Sequence, residues 1–124
     1  MTNISTEFGS VENRSFFAGT EIAALTSSVT LAAGQGVLRK GAVLGKVTAD
    51  GKYKLVDKAA TDGSEKASVV LATETVDTTG GDQEVVVYTQ GIFNYDALYV
   101  AAGDTVKAHE EELRLGNIYF KTDF

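Results

Sequence analysis

His109, the one histidine of this chain, is followed directly by Glu110, Glu111 and Glu112, residue types from which metal sites and general bases are often built. A zinc-protease helix needs a second histidine four residues on, so that both rings reach one ion from a single helix face. Leu113 occupies that position, and the metal reading fails. The run reads instead as a solvated acidic helix face with a histidine at its border. Serine and threonine are plentiful, but His109 is the only customary base for them and cysteine is absent. No nucleophile and base pair can be nominated, so the sequence offers no catalytic residue.

The glycine clusters fare no better as ligand loops. Gly36 to Gly41 has Ala42 where a phosphate loop needs lysine, and Gly41 to Lys46 is one residue short and continues with Val47. Gly34-Gln35-Gly36 has Arg39 in place of the third glycine of a dinucleotide fingerprint. All three read as β-turns. Asp50-Gly51, Asp57 and Asp62-Gly63 lack the alternating oxygen ligands and closing glutamate of a calcium loop. Asn3-Ile4-Ser5 and Asn13-Arg14-Ser15 match glycosylation sequons, which carry no meaning without secretion. No cofactor and no metal are expected.

Composition narrows the class further. The 124 residues, 44% of them hydrophobic, suffice for one compact core. A net charge of -6 and eleven scattered Lys and Arg disfavour nucleic acid, whose phosphates such a surface repels. No stretch approaches the roughly 18 apolar residues of a membrane span, and the N-terminus lacks a signal-like pattern, so a soluble protein is expected. Without cysteine there is no disulfide framework, and stability must come from packing and assembly.

The elements that would position any site are short β runs separated by glycine turns. Candidate strands are 28–31, 42–48, 52–56, 68–74, 84–89 and 92–94. Asp50-Gly51 predicts a tight two-residue turn, making 42–56 one hairpin. Gly80-Gly81-Asp82 predicts the turn between 68–76 and 84–88, and Asp57 to Lys66 reads as a polar surface loop. Asp104 suits the cap of a helix over 105–115 with Val106, His109 and Leu113 on one face and Gly116 at its C-cap. Asn117 to Lys121 reads as a last strand returning to the sheet. Val87, Tyr88 and Phe93 are the expected core of the C-terminal half.

Residues 1 to about 20 keep neither period: Ile4, Phe8, Val11, Phe16 and Phe17 are spaced among polar residues. Such a segment is either a frayed terminus or a flexible binding arm ahead of one β-rich domain over 21–124. Three of the six phenylalanines lie here, which is an odd place for them if they meet only water.

One run joins these parts: Val29-Thr30-Leu31-Ala32-Ala33-Gly34-Gln35, then Arg39 through Thr48, then Ala60-Thr61-Asp62-Gly63-Ser64, and Val86-Val87-Tyr88-Thr89-Gln90-Gly91-Ile92-Phe93-Asn94. In order and spacing it resembles the lambda-type bacteriophage head decoration proteins, over about residues 15 to 121. The resemblance implies a mainly β, β-clip-like domain with a short C-terminal helix. It also implies a structural virion protein made in the bacterial host cytoplasm and bound to the outer capsid surface. The partner would be the phage major capsid protein, met by homotrimers at threefold positions that stabilise the expanded head against internal DNA pressure. Residues 1 to about 20 would be the capsid-binding arm, adding a strand to the coat protein with Ile4, Phe8, Val11, Phe16 and Phe17 as its apolar contacts. A small β-clip or barrel enzyme such as a nucleotide hydrolase is the alternative, since fold does not fix function.

Overall fold

A computed structural model describes residues 24–121 of the chain. The proposed arm, with Ile4, Phe8, Val11, Phe16 and Phe17, lies outside the described residues. Eight strands are formed among those described: β1 (Leu25–Leu31), β2 (Val37–Arg39), β3 (Val43–Lys46), β4 (Tyr53–Leu55), β5 (Val69–Leu71), β6 (Thr75–Asp77), β7 (Gln83–Asn94) and β8 (Ile118–Lys121). A single short helix, α1 (Glu110–Leu115), precedes the last strand. The architecture is mainly β with one short C-terminal helix, as the sequence indicates.

Six strands run in the order β1-β4-β3-β5-β7-β8, and β1 also pairs with β7, which closes β1, β4, β3, β5 and β7 into a small barrel. β7 makes this possible because it is long. Its first part pairs antiparallel with β1 from Gln83 to Gln90, Val87 and Tyr88 pair with β5, and Gly91 to Asn94 pair parallel with β8. β2 and β6 form a separate ribbon beside the barrel. The outer edge of β2 is held by Tyr99, whose hydroxyl accepts the Arg39 N–H at 2.9 Å and donates to the Arg39 carbonyl at 3.2 Å.

Alternation along the strands sorts apolar side chains into two buried clusters. Leu44, Val69, Leu71, Val85 and Val87 join Leu31 and Leu38 in one. Val43, Val70 and Phe93 point the other way and join Val56, Leu98, Val106, Leu113 and Ile118 from the chain that covers that face. Every residue of β5 is therefore buried, the two faces feeding different clusters.

Several local expectations need correction. The candidate strand 68–74 stops at Leu71, and the chain then leaves the barrel to pair Thr75–Asp77 with the unforeseen β2. The Asp50-Gly51 turn is a four-residue loop: Val47 N–H bonds Lys52 O at 2.8 Å and Gly51 N–H bonds Val47 O at 2.9 Å, with Gly51 at φ 74°. Candidates 84–89 and 92–94 are one continuous strand. The helix begins late, as a 3-10 turn over Lys107–His109 that passes into α1. Asp104 caps neither, and its carboxylate is used elsewhere.

Candidate binding edge and buried polar clusters

β1 leaves a main-chain edge open. It pairs with β7 along its whole length, but β4 meets it only at Leu31, opposite Tyr53. From 25 to 30 no described strand pairs with the other edge. Leu25 to Ser28 are exposed there, and Val86, opposite Ser28, is 43% exposed. An exposed edge with scattered apolar side chains can accept an added strand, the backbone supplying hydrogen bonds and the side chains selectivity. This edge lies immediately after the segment assigned to the arm.

Of the expected core, Val87 and Phe93 are wholly buried. Tyr88 is only half-buried and packs on the edge of the Phe93 cluster, with ring centroids 5.5 Å apart. Position parity explains it, since Val86 and Tyr88 face away from the side occupied by Val85 and Val87. Burial, with a smaller push from the Glu74 carboxylate, raises the Tyr88 hydroxyl above its ordinary pKa.

His109 overturns the solvated-face reading, being 3% exposed. Its Nδ1 lies 2.6 Å from Glu112 Oε1 and its Nε2 lies 2.6 Å from Asp104 Oδ2. The sequence put the right residues on one face, because Val106, His109 and Leu113 are all buried. It missed that the ring would carry acids to both its nitrogens. Their spacing, one acid five residues before and one three residues after, was the available signal. Burial is the largest influence on the imidazole and lowers its pKa, but the hydrogen bonds to Glu112 and Asp104 and their charges outweigh it, and the net direction is up. At Asp104 burial likewise acts first and upward, but hydrogen bonds from His109, Thr105 and Lys58 bring the carboxyl below its ordinary value. With both nitrogens engaged, the ring presents no lone pair to a substrate. Among the described residues no group of three or more His, Asp or Glu is arranged to hold a metal ion.

The loop expected to be a polar surface segment is partly an interior one. Ser64 is 1% exposed. Asp62 Oδ1 accepts the Ser64 hydroxyl at 2.6 Å and the Ser64 N–H at 3.0 Å, and its Oδ2 pairs with Lys54 Nζ at 3.1 Å. The Ser64 hydroxyl first, then its N–H and Lys54, hold the Asp62 carboxyl far below the usual range. Asp62 O also accepts the Thr48 N–H at 2.9 Å, which docks the loop on the β3-β4 hairpin. Thr61-Asp62-Gly63-Ser64 thus acts as a folded staple, with its carboxylate consumed by internal bonds.

None of the described helices is long and apolar enough to cross a membrane. No curated protein matches the chain significantly. The family model of bacteriophage lambda head decoration protein D matches residues 9–117, which include the β1 edge, the Asp62 staple, all of β7 and α1. On that match, the chain belongs to the bacteriophage lambda head decoration protein D family.

Proposed function

We propose that the protein binds the outer surface of a phage head as a homotrimer at threefold positions and stabilises the expanded shell against the pressure of packaged DNA. The observation that carries this reading is the family match over residues 9–117. The partner is the phage major capsid protein, and the arm over residues 1 to about 20 supplies an added strand to it. Three arms acting together can raise effective affinity by about 10²- to 10⁴-fold over one, so each arm need bind only weakly.

The acidic surface supports this placement, since a net charge of -6 suits the outside of a wall that contains DNA better than contact with the DNA itself. The enzyme alternative gains no support from His109, whose two nitrogens are spent on Asp104 and Glu112. Electron microscopy of the protein mixed with undecorated heads of its own phage tests the proposal. Threefold-averaged density on the outer surface is expected; isolated monomers or dimers on twofold axes would overturn it.

A further inference from the structure

The oxygens that face the His109 ring also hold the two ends of the neighbouring loop. Asp104 Oδ2, 2.6 Å from Nε2, accepts the Lys58 backbone N–H at 2.9 Å. Glu112 Oε1, 2.6 Å from Nδ1, accepts the Ala67 backbone N–H at 2.8 Å. Lys58 opens the loop that carries the Asp62 staple, and Ala67 closes it ahead of β5. Each carboxylate oxygen is therefore shared between one ring nitrogen and one loop amide.

An ionised carboxylate only accepts hydrogen bonds, and a neutral imidazole has one N–H and one bare nitrogen. Two ionised carboxylates at 2.6 Å on either side of the ring are both satisfied only if both nitrogens carry protons. Remove one proton, and a nitrogen lone pair faces a carboxylate oxygen across a ring that is 4% exposed, with the Asp104 side chain at 0% and the Glu112 side chain at 34%. Such a pair is costly away from water. The carboxylate that faces the bare nitrogen must then turn away, which disturbs the bond to the loop amide that shares its oxygen.

We infer that Asp104, His109 and Glu112 form a proton-operated clamp, which fastens the chain at Lys58 and at Ala67, on either side of the Asp62 staple, to the 104–112 segment when the imidazole is doubly protonated and releases one of the two attachments when it is neutral.

The charges that face the ring are those of Asp104, from the segment before the helix, and Glu112, from α1. Several other charged groups on these elements are engaged elsewhere. On the helical side, Lys107 Nζ lies 3.7 Å from Glu110 Oε1. On the loop side, Asp57 Oδ1 accepts the Ala59 N–H, Glu65 Oε1 accepts the Gly63 N–H, and Asp62 pairs with Lys54. The ring's two neighbouring carboxylates are thus the elements that respond to its proton.

Nitrogen-15 NMR of the unaltered full chain tests the clamp, because it reads the protonation of each ring nitrogen while hydrogen exchange reads the loop amides. Both nitrogens are expected to carry protons at neutral pH. On alkaline titration, exchange protection corrected for intrinsic rate is expected to fall at Lys58 or at Ala67, whichever shares its carboxylate with the nitrogen that gives up its proton, while protection at Val87 in β7 is retained. A neutral ring at neutral pH would overturn the inference. So would ring deprotonation with protection kept at both loop amides, or lost at Val87 as well, which would report global unfolding.

Discussion

The Gln35 side chain closes the seam of the barrel by bonding Leu55: its Oε1 accepts the Leu55 N–H at 2.8 Å, while its Nε2 donates to Ala32 O at 2.7 Å and Tyr53 O at 3.3 Å. β1 and β4 share a single residue pair. A side-chain amide therefore substitutes there for the missing stretch of strand. Its turn is itself anchored, since the wholly buried Thr78 donates its hydroxyl to Gly36 O and accepts the Gln35 N–H. Gln35→Ala leaves the Leu55 N–H without its partner in a half-buried place, and a loss of about 1 to 3 kcal/mol is expected. Urea unfolding measures it; an unchanged midpoint would show that the seam does not depend on the amide.

Gly45 marks the closest approach of the staple loop to the barrel. A Cβ there would come 2.6 Å from the Lys66 carbonyl oxygen and into the Ser64 carbonyl as well. Both obstacles are backbone, which cannot rotate away as a side chain can. Gly45→Ala is expected to cost at least the roughly 1 to 3 kcal/mol of an overpacked core and to raise proteolysis within 57–66. Wild-type stability and cleavage in this variant would show that the loop does not rest on β3.

Phe93 is the largest of the wholly buried side chains, and it packs where β7 passes from β5 to β8. Truncation to alanine removes a ring from the cluster that joins the barrel to α1. Phe93→Ala is expected to destabilise the protein by about 3 to 5 kcal/mol, as read by thermal or urea unfolding. A loss below about 1 kcal/mol, the scale of a volume-conserving swap, would contradict its burial.

How far the sequence carried depended on the range of the interactions involved. β3, β4 and the first part of β7 were legible because alternation and turn residues are local signals. β2 was not, since Val37-Leu38-Arg39 is three residues between turn glycines and becomes a strand only by meeting Thr75–Asp77. The break after Leu71 was hidden for the same reason: apolar content continues to Ala72, but the pairing partner changes. Gly91 suggested a strand end, although β8 pairs across it and keeps β7 continuous. His109 was misjudged because three glutamates beside it look solvated, whereas the ring is 3% exposed and its Nε2 meets Asp104 from outside the helix. Gln35, read only as part of a turn, owes its role to β4, eighteen residues away at Tyr53.

Stability is expected to fall at both ends of the pH range, by different groups. Asp62, Asp77 and Asp82 all sit below the ordinary 3.8, held there respectively by the Ser64 hydroxyl, by Thr79, and by Lys52 with the Ala33 N–H. A lowered carboxyl contributes stability that is present above 3.8 and lost as pH falls through its folded value. His109 works in the opposite sense: its raised pKa contributes stability that is complete below 6.5 and lost as pH rises through the folded value. Melting temperature is therefore expected to decline on acidification below the carboxylate range and, separately, on the alkaline side. Asp62→Asn is expected to flatten the acid limb without changing the alkaline one. A melting temperature that keeps rising beyond neutral pH would contradict the sign assigned to His109.

Deletion of residues 1–15 is expected to separate attachment from folding. The buried apolar set among the described residues runs from Leu31 to Ile118, and β1 begins at Leu25, so the deletion removes none of these contacts. The β spectrum and melting temperature are expected to stay nearly unchanged. Under the proposed trimeric attachment, binding to undecorated heads is expected to weaken sharply, because each trimer would lose three strand additions at once and with them the multivalent gain of about 10²- to 10⁴-fold. Sedimentation of heads with the truncated protein gives the bound fraction, and circular dichroism gives the fold. If the truncated chain unfolds, the arm contributes to the domain's own core. If it folds and still decorates heads at full occupancy, attachment resides in the globular part, and the open edge of β1 beside Val86 becomes the surface to mutate.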